Sequence, residues 1–153
     1  MGCLYIVATP IGNLEDITLR ATRILSEVDL ILCEDTRRTI KLLNSLDIKN
    51  KLISFNKNNE LEKTPIIIDK LKSNNYALVS DAGTPTISDP GSKLVRKALE
   101  NNIKVIPVPG ASSLLTAYSV SGITNNDFIF QGFPPRRKKE AEIMLLNLKN
   151  LNK

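Results

Sequence analysis

The chain has 153 residues, is 42% hydrophobic and 24% charged, and carries a formal net charge of +5 with no histidine. That length suits one domain with a real core, and no apolar run is long enough to cross a bilayer. The lack of histidine excludes a Ser-His triad, a histidine general base and a histidine metal ligand within the chain.

The opening Met1-Gly2-Cys3-Leu4-Tyr5-Ile6-Val7 has no basic leader or cleavage site, so a cytoplasmic location is expected. Residues 4–8 read as a continuous apolar run of the kind a buried parallel strand shows. A loop containing Thr9, Pro10 and Gly12 follows, with Asp16 as the expected N-cap of a helix reaching Val28. Leu30-Ile31-Leu32-Cys33 reads as a second strand, then Glu34-Asp35-Thr36-Arg37-Arg38 leads into a helix ending near Leu46. Cys3 and Cys33 read as reduced core residues, not as a disulfide or a metal pair, and no metal site is expected.

Leu52-Ile53-Ser54-Phe55 is a short strand before the polar stretch 56–60. A helix over 60–73 follows, in which Pro65 is tolerable only near the first turn. Tyr76-Ala77-Leu78-Val79 is a fourth strand and 92–99 a helix. Between them lies Ser80-Asp81-Ala82-Gly83-Thr84-Pro85-Thr86-Ile87-Ser88-Asp89-Pro90-Gly91, too rich in Gly, Pro and hydroxyls for regular structure. A long loop beyond the carboxyl end of a strand is where open α/β sheets bind ligands. Lys104-Val105-Ile106-Pro107-Val108 is a fifth strand, followed by Pro109-Gly110-Ala111-Ser112-Ser113 and a helix over 114–120.

Helices on every crossover imply a doubly wound, mainly parallel sheet, with the loops gathered on one sheet edge. Composition changes near Ser121-Gly122, so 1–121 is expected to form an N-terminal α/β domain and 122–153 the start of a second α/β domain. In that second part 128–133 reads as a strand, broken by Pro134-Pro135, and about 136–151 as a basic amphipathic helix.

Five blocks, in order, resemble the ribosomal RNA small-subunit methyltransferase I family. They are Leu4-Tyr5-Ile6-Val7-Ala8-Thr9-Pro10-Ile11-Gly12-Asn13-Leu14 with Asp16-Ile17-Thr18-Leu19-Arg20, Glu34-Asp35-Thr36-Arg37, Ser80-Asp81-Ala82-Gly83-Thr84-Pro85 with Ile87-Ser88-Asp89-Pro90-Gly91, Pro107-Val108-Pro109-Gly110, and Phe130-Gln131-Gly132-Phe133-Pro134-Pro135-Arg136. The resemblance implies the tetrapyrrole-methylase fold, S-adenosylmethionine as methyl donor, and the ribose 2′-hydroxyl of a cytidine in small-subunit ribosomal RNA as acceptor. Free RNA or the assembled small subunit would be the partner, and the family suggests a homodimer. By position, the donor would be bound by Thr9, Pro10 and Gly12, by Asp81, Ala82, Gly83 and Thr84, and by Gly110, Ala111, Ser112 and Ser113. The G-x-G-x-x-G fingerprint and the Walker loop are absent, which fits a cofactor without a diphosphate.

A 2′-hydroxyl is a poor nucleophile, and a nearby carboxylate can accept its proton as the methyl transfers. Glu34, Asp35 and Glu60 are the candidates, while Asp35 reads equally well as a helix-start acid. Arg37, Arg38, Arg136 and Arg137 are candidate contacts to RNA phosphates, or else solvated helix residues.

The chain departs from the family at Asn56, Lys57 and Asn58, where histidines are common, at Thr86 in place of a usual glycine, and at Ala111-Ser112 in place of Pro-Ser. It also stops at roughly half the family's usual extent, the pattern of a truncated product, a fragment or one piece of a split protein. Weak donor binding and little or no methylation by the 153 residues alone are therefore expected. Two other readings stay open: a non-catalytic remnant, and a methylase of the same fold acting on a tetrapyrrole or other small molecule.

Overall fold

The computed structural model describes residues 2–124 and 127–149. Five strands, β1 (Cys3–Val7), β2 (Leu30–Cys33), β3 (Leu52–Ser54), β4 (Tyr76–Val79) and β5 (Lys104–Val108), form one sheet in the order β3-β2-β4-β1-β5. Every pairing is parallel, as apolar runs joined by helices require. The crossovers are α1 (Leu19–Glu27), α2 (Thr36–Ser45), α3 (Glu60–Lys70) and α4 (Ser92–Glu100), and α5 (Ser113–Ser119) follows β5.

Side chains alternate between two cores. Leu30 and Leu32 of β2 join Leu4, Leu78, Ile67 and Ile68 of α3, and Leu94 and Ala98 of α4. Ile31 and Cys33 join Val7, Ala77 and Val79, Ala21, Ile24 and Leu25 of α1, and Leu43 of α2. The sheet is thus doubly wound, with α1 and α2 on one face and α3 and α4 on the other. β1 and β4 are neighbours whose following helices leave on opposite faces. The crevice beyond their carboxyl ends is the topological switch point, where such sheets bind ligands.

Three local expectations change. Asn13 caps a short 3-10 turn, Leu14–Asp16, by accepting the Glu15 N–H, and Thr18 caps α1 by accepting the Ala21 N–H. The chain bends between the two, so Asp16 is not the helix cap. Pro65 lies inside α3, beyond its first turn. It removes the donor that would meet the Leu61 carbonyl, a loss made tolerable because Leu61 is exposed to water. The stretch 128–133 has extended composition but forms no strand among the described residues, and Phe128, Ile129, Phe130 and Phe133 are exposed. An apolar run becomes a strand only when a neighbouring strand pairs with it.

The described chain divides into two compact units, residues 1–122 and 123–153. The first holds the sheet and α1 to α5. The second holds α6 (Lys138–Lys149), just before which Arg137 pairs with Glu140 at 3.2 Å. The end of the expected last helix, 150–151, lies outside the described residues.

Candidate functional site

Because all five strands run the same way, the segments after β1, β2, β4 and β5 share the carboxyl edge of the sheet. Thr9 and Gly83 form an isolated antiparallel bridge there: Thr9 N–H donates to the Gly83 carbonyl at 2.9 Å, and Gly83 N–H to the Thr9 carbonyl at 3.0 Å. The buried Thr9 hydroxyl donates to the Ser80 carbonyl at 3.1 Å, and the Ser80 hydroxyl to the Gly83 carbonyl, also at 3.1 Å. These bonds fold the start of the 80–91 loop back over β1.

The loop after β5 joins the same assembly. Thr84 donates its hydroxyl hydrogen to the Ala111 carbonyl at 3.4 Å. A methyl group at Gly110 would meet Ala8 Cβ at 3.0 Å, and one at Gly83 would meet Ile11 Cγ2 at 3.3 Å. Gly83 also has φ +82, a backbone geometry glycine adopts at little cost. Three loops expected to bind the donor therefore touch one another through backbone and glycine surface. Pro10, Gly12, Ala82, Ser112 and Ser113 lie in the same three loops, with Gly12, Ala82 and Ser113 exposed.

β2 contributes acids to this edge. Asp35 caps α2, its Oδ1 accepting the Arg37 N–H at 2.8 Å, and the Arg37 guanidinium grips both of its oxygens at 3.1 and 2.7 Å. These bonds hold the Asp35 carboxyl at about 2, well below the usual range. Asp35 also donates its own N–H to Asp81 Oδ1 at 3.1 Å, and Arg38 Nε lies 3.5 Å from Asp81 Oδ2. Arg37 and Arg38 are exposed on α2, so they sit beside the loops as well as being tied to their acids.

Glu34 behaves differently from Asp35. Partial burial, and then the nearby charges of Asp81 and Asp89, raise its carboxyl above the ordinary range, with Lys57 and Arg38 pulling the other way. Asp89 is raised too, again chiefly by burial, with Ser80 and Lys57 pulling the other way. The carboxyl-edge loops thus bring Glu34, Asp81 and Asp89 into one electrostatic neighbourhood.

Glu60 has another occupation. It is 6% exposed, and its Oε1 accepts the Gly91 N–H at 2.9 Å, at the far end of the same loop. Sequence reasoning grouped Glu60 with the potential proton acceptors because spacing cannot show that residues 60 and 91 meet. It also missed Ser80 as an anchor of the loop, although a hydroxyl directly after a buried strand is a usable signal. Arg136 and Arg137 are exposed in the second unit.

The residues fit a cationic methyl donor better than a phosphorylated one. The glycine surfaces leave room for close approach, and the loops offer carboxylates and backbone groups rather than a lysine cradle. Among the described residues no cluster of three His, Cys, Asp or Glu could hold a metal ion, and no helix is long and apolar enough to cross a membrane.

The chain resembles known proteins throughout. It is 52% identical over 154 residues to a ribosomal RNA small subunit methyltransferase I of Thermotoga maritima, covering 100% of this chain and 69% of that protein. Relatives of the same name from Haemophilus influenzae and Halalkalibacterium halodurans are 50% and 53% identical, over 96% and 91% of this chain but only 52% and 48% of theirs. The chain thus spans about half the length of these two relatives. Among solved structures, a uroporphyrin III C-methyl transferase from Thermus thermophilus superposes with a TM-score of 0.60 at 22% identity, covering 76% of this chain and 52% of the other. A conserved hypothetical protein from Aeropyrum pernix gives 0.63 at 20%, covering 76% and 42%. Those two likenesses concern the fold. The signature described as Tetrapyrrole (Corrin/Porphyrin) Methylases matches residues 3–142. On that match and the Thermotoga likeness, the chain belongs to the tetrapyrrole methylase family, in the branch of the ribosomal RNA small subunit methyltransferase I proteins.

Proposed function

We propose that this chain carries the donor-binding half of an S-adenosylmethionine-dependent methyltransferase that modifies the ribose 2′-hydroxyl of a cytidine in small-subunit ribosomal RNA. Domain 1–121 would hold the donor, and 122–153 would be the start of a second α/β domain. The observation that carries the reading is the junction of three loops at the switch point, locked by the Thr9–Gly83 bridge and lined by Asp81. The names of the relatives supply the RNA class; the 2′-hydroxyl and the cytidine come from the resemblance of the motifs.

Bound S-adenosylmethionine would supply a methyl group made electrophilic by its sulfonium. The protein's task is to hold that methyl in line with the attacking oxygen, so positioning carries much of the rate. Thr9, Pro10, Gly12, residues 81–84 and 110–113 are the proposed binding residues, with the Asp81 carboxylate facing the cationic donor. Glu34 is the proposed acceptor of the hydroxyl proton, since a raised carboxyl is better matched to neutral pH than one held near 2. That ranking moves Asp35 to an orienting role. Arg37 and Arg38 would meet RNA phosphates beside the site, and Arg136 and Arg137 are proposed as further phosphate contacts.

The test is calorimetric titration of the 153-residue chain with S-adenosylmethionine, repeated with Asp81→Ala, followed by transfer of labelled methyl to undermethylated small subunits. Binding that the substitution abolishes supports the assignment. A well-folded chain with neither binding nor transfer favours the non-catalytic reading, and transfer to a tetrapyrrole instead of RNA favours the third.

A further inference from the structure

We propose that Glu60 is a positioning residue whose buried carboxylate pins the far end of the 80–91 loop and thereby holds residues 81–84 in their binding conformation. This rests on the reading of that loop as the donor site.

The loop has two anchors. At its start, Ser80 and Gly83 are bonded to Thr9 and to each other. At its end, Gly91 is the N-cap of α4 and has no capping side chain of its own. Gly91 adopts φ +121, and a Cβ there would overlap Leu78 Cδ2 and lie 3.1 Å from Thr86 Cγ2. The backbone is therefore pressed against the core strand, and its N–H points into a buried place where water cannot serve it. Glu60 Oε1 is the acceptor.

Glu60 is well placed for this because it is itself fixed. It opens α3, its N–H donating to the Asn56 carbonyl at 2.9 Å, and the Thr64 hydroxyl donates to its carbonyl at 2.6 Å. The turn before it is held by Asn56 N–H to Asn59 Oδ1 at 2.9 Å, and by Asn59 Nδ2 and Lys63 Nζ both donating to the Ser54 carbonyl. The carboxylate so delivered lies in the first turn of α3 and against the amino end of α4. Two helix dipoles present their positive ends to it, which compensates the burial of the acid. The asparagines at 56 and 59 thus reach the 80–91 loop through Glu60.

The experiment compares Glu60→Ala and Glu60→Gln with the wild-type chain by amide hydrogen exchange and by calorimetric titration with S-adenosylmethionine. Glutamine keeps an acceptor oxygen in the same place but cannot act as a base. The expected result is that Glu60→Ala speeds exchange at Gly91 by about tenfold or more, the size of one lost hydrogen bond to a charged group, and also speeds it at Gly83, whose N–H donates to the Thr9 carbonyl. Donor affinity falls with it, and Glu60→Gln restores both. If Glu60→Ala does not fold, Glu60→Asp, one methylene short of Gly91, replaces it. Unchanged exchange in the loop overturns the proposal, and so does failure of glutamine to restore it. A wild-type chain that binds no donor defeats the reading of the site, while the exchange comparison still decides the role of Glu60.

Discussion

The backbone N–H of Asp35 donates to Asp81 Oδ1 at 3.1 Å, joining the loop after β2 to the loop after β4. Asp81 is therefore a structural acceptor as well as the charge proposed to face the donor. The two roles separate by substitution. Asp81→Asn keeps an acceptor oxygen for Asp35 and loses the charge near Arg38. Asp81→Ala loses both and leaves a partly buried N–H without its partner. Denaturant unfolding is expected to show about 1–3 kcal/mol lost with alanine and less with asparagine. Calorimetry is expected to show donor affinity lost in both.

The pH dependence of stability has opposite signs at neighbouring residues. Glu34 holds its proton more tightly folded than unfolded, because burial and then the charges of Asp81 and Asp89 oppose ionisation. Its contribution to stability therefore falls as pH rises from the unfolded value, about 4.3, through the higher folded value, and stays reduced above it. Glu34→Gln is expected to be more stable than wild type at neutral pH, and the difference is expected to vanish below about pH 4. Thermal melts across pH 3–8 measure this. If Glu34 accepts the ribose proton, the same substitution abolishes methyl transfer while leaving donor affinity intact.

Asp35 runs the other way. Its carboxyl is held at about 2 by the Arg37 side chain first and the Arg37 N–H second. The stability it adds is present above its unfolded pKa, about 3.9, and is lost as pH falls toward 2. Arg37 is exposed, so water and salt screen the pair, and its net effect at neutral pH is small. Arg37→Ala is expected to move the Asp35 titration back toward the ordinary range, read by NMR, with little change in melting temperature. If Arg37 meets an RNA phosphate as proposed, the same substitution lowers the salt dependence of RNA binding by about one contact.

The fold was legible because buried parallel strands have a plain signature. Leu30–Cys33, Tyr76–Val79 and Lys104–Val108 stand where their apolar or β-branched runs stand. The Asp35 cap was legible too, as an acid at a helix start. What the sequence hides is what meets across the sheet. Nothing local distinguishes Asp16 from Thr18 as a cap when a 3-10 turn intervenes. Nothing local shows that Glu60 reaches Gly91. The apolar run 128–133 has a strand's composition, but its state is decided by a neighbouring strand rather than by its own residues.

Thr86 is the last and sharpest case. It was visible as a threonine where the family usually has glycine, and the structure gives it φ +74. A β-branched residue in that region is strained, commonly by about 1–3 kcal/mol, because its side chain crowds its own backbone. The strain persists because both ends of the 80–91 loop are fixed, by Thr9 at one side and Glu60 at the other. Thr86→Gly releases it, against a loss of roughly 0.5–1 kcal/mol from the greater freedom of glycine in the unfolded chain. The net expectation is a gain of up to about 1–2 kcal/mol in denaturant unfolding. Thr86→Ala keeps a Cβ at positive φ and recovers less. A glycine variant that loses stability would mean that the Thr86 methyl, packed beside Gly91, contributes more than its backbone costs.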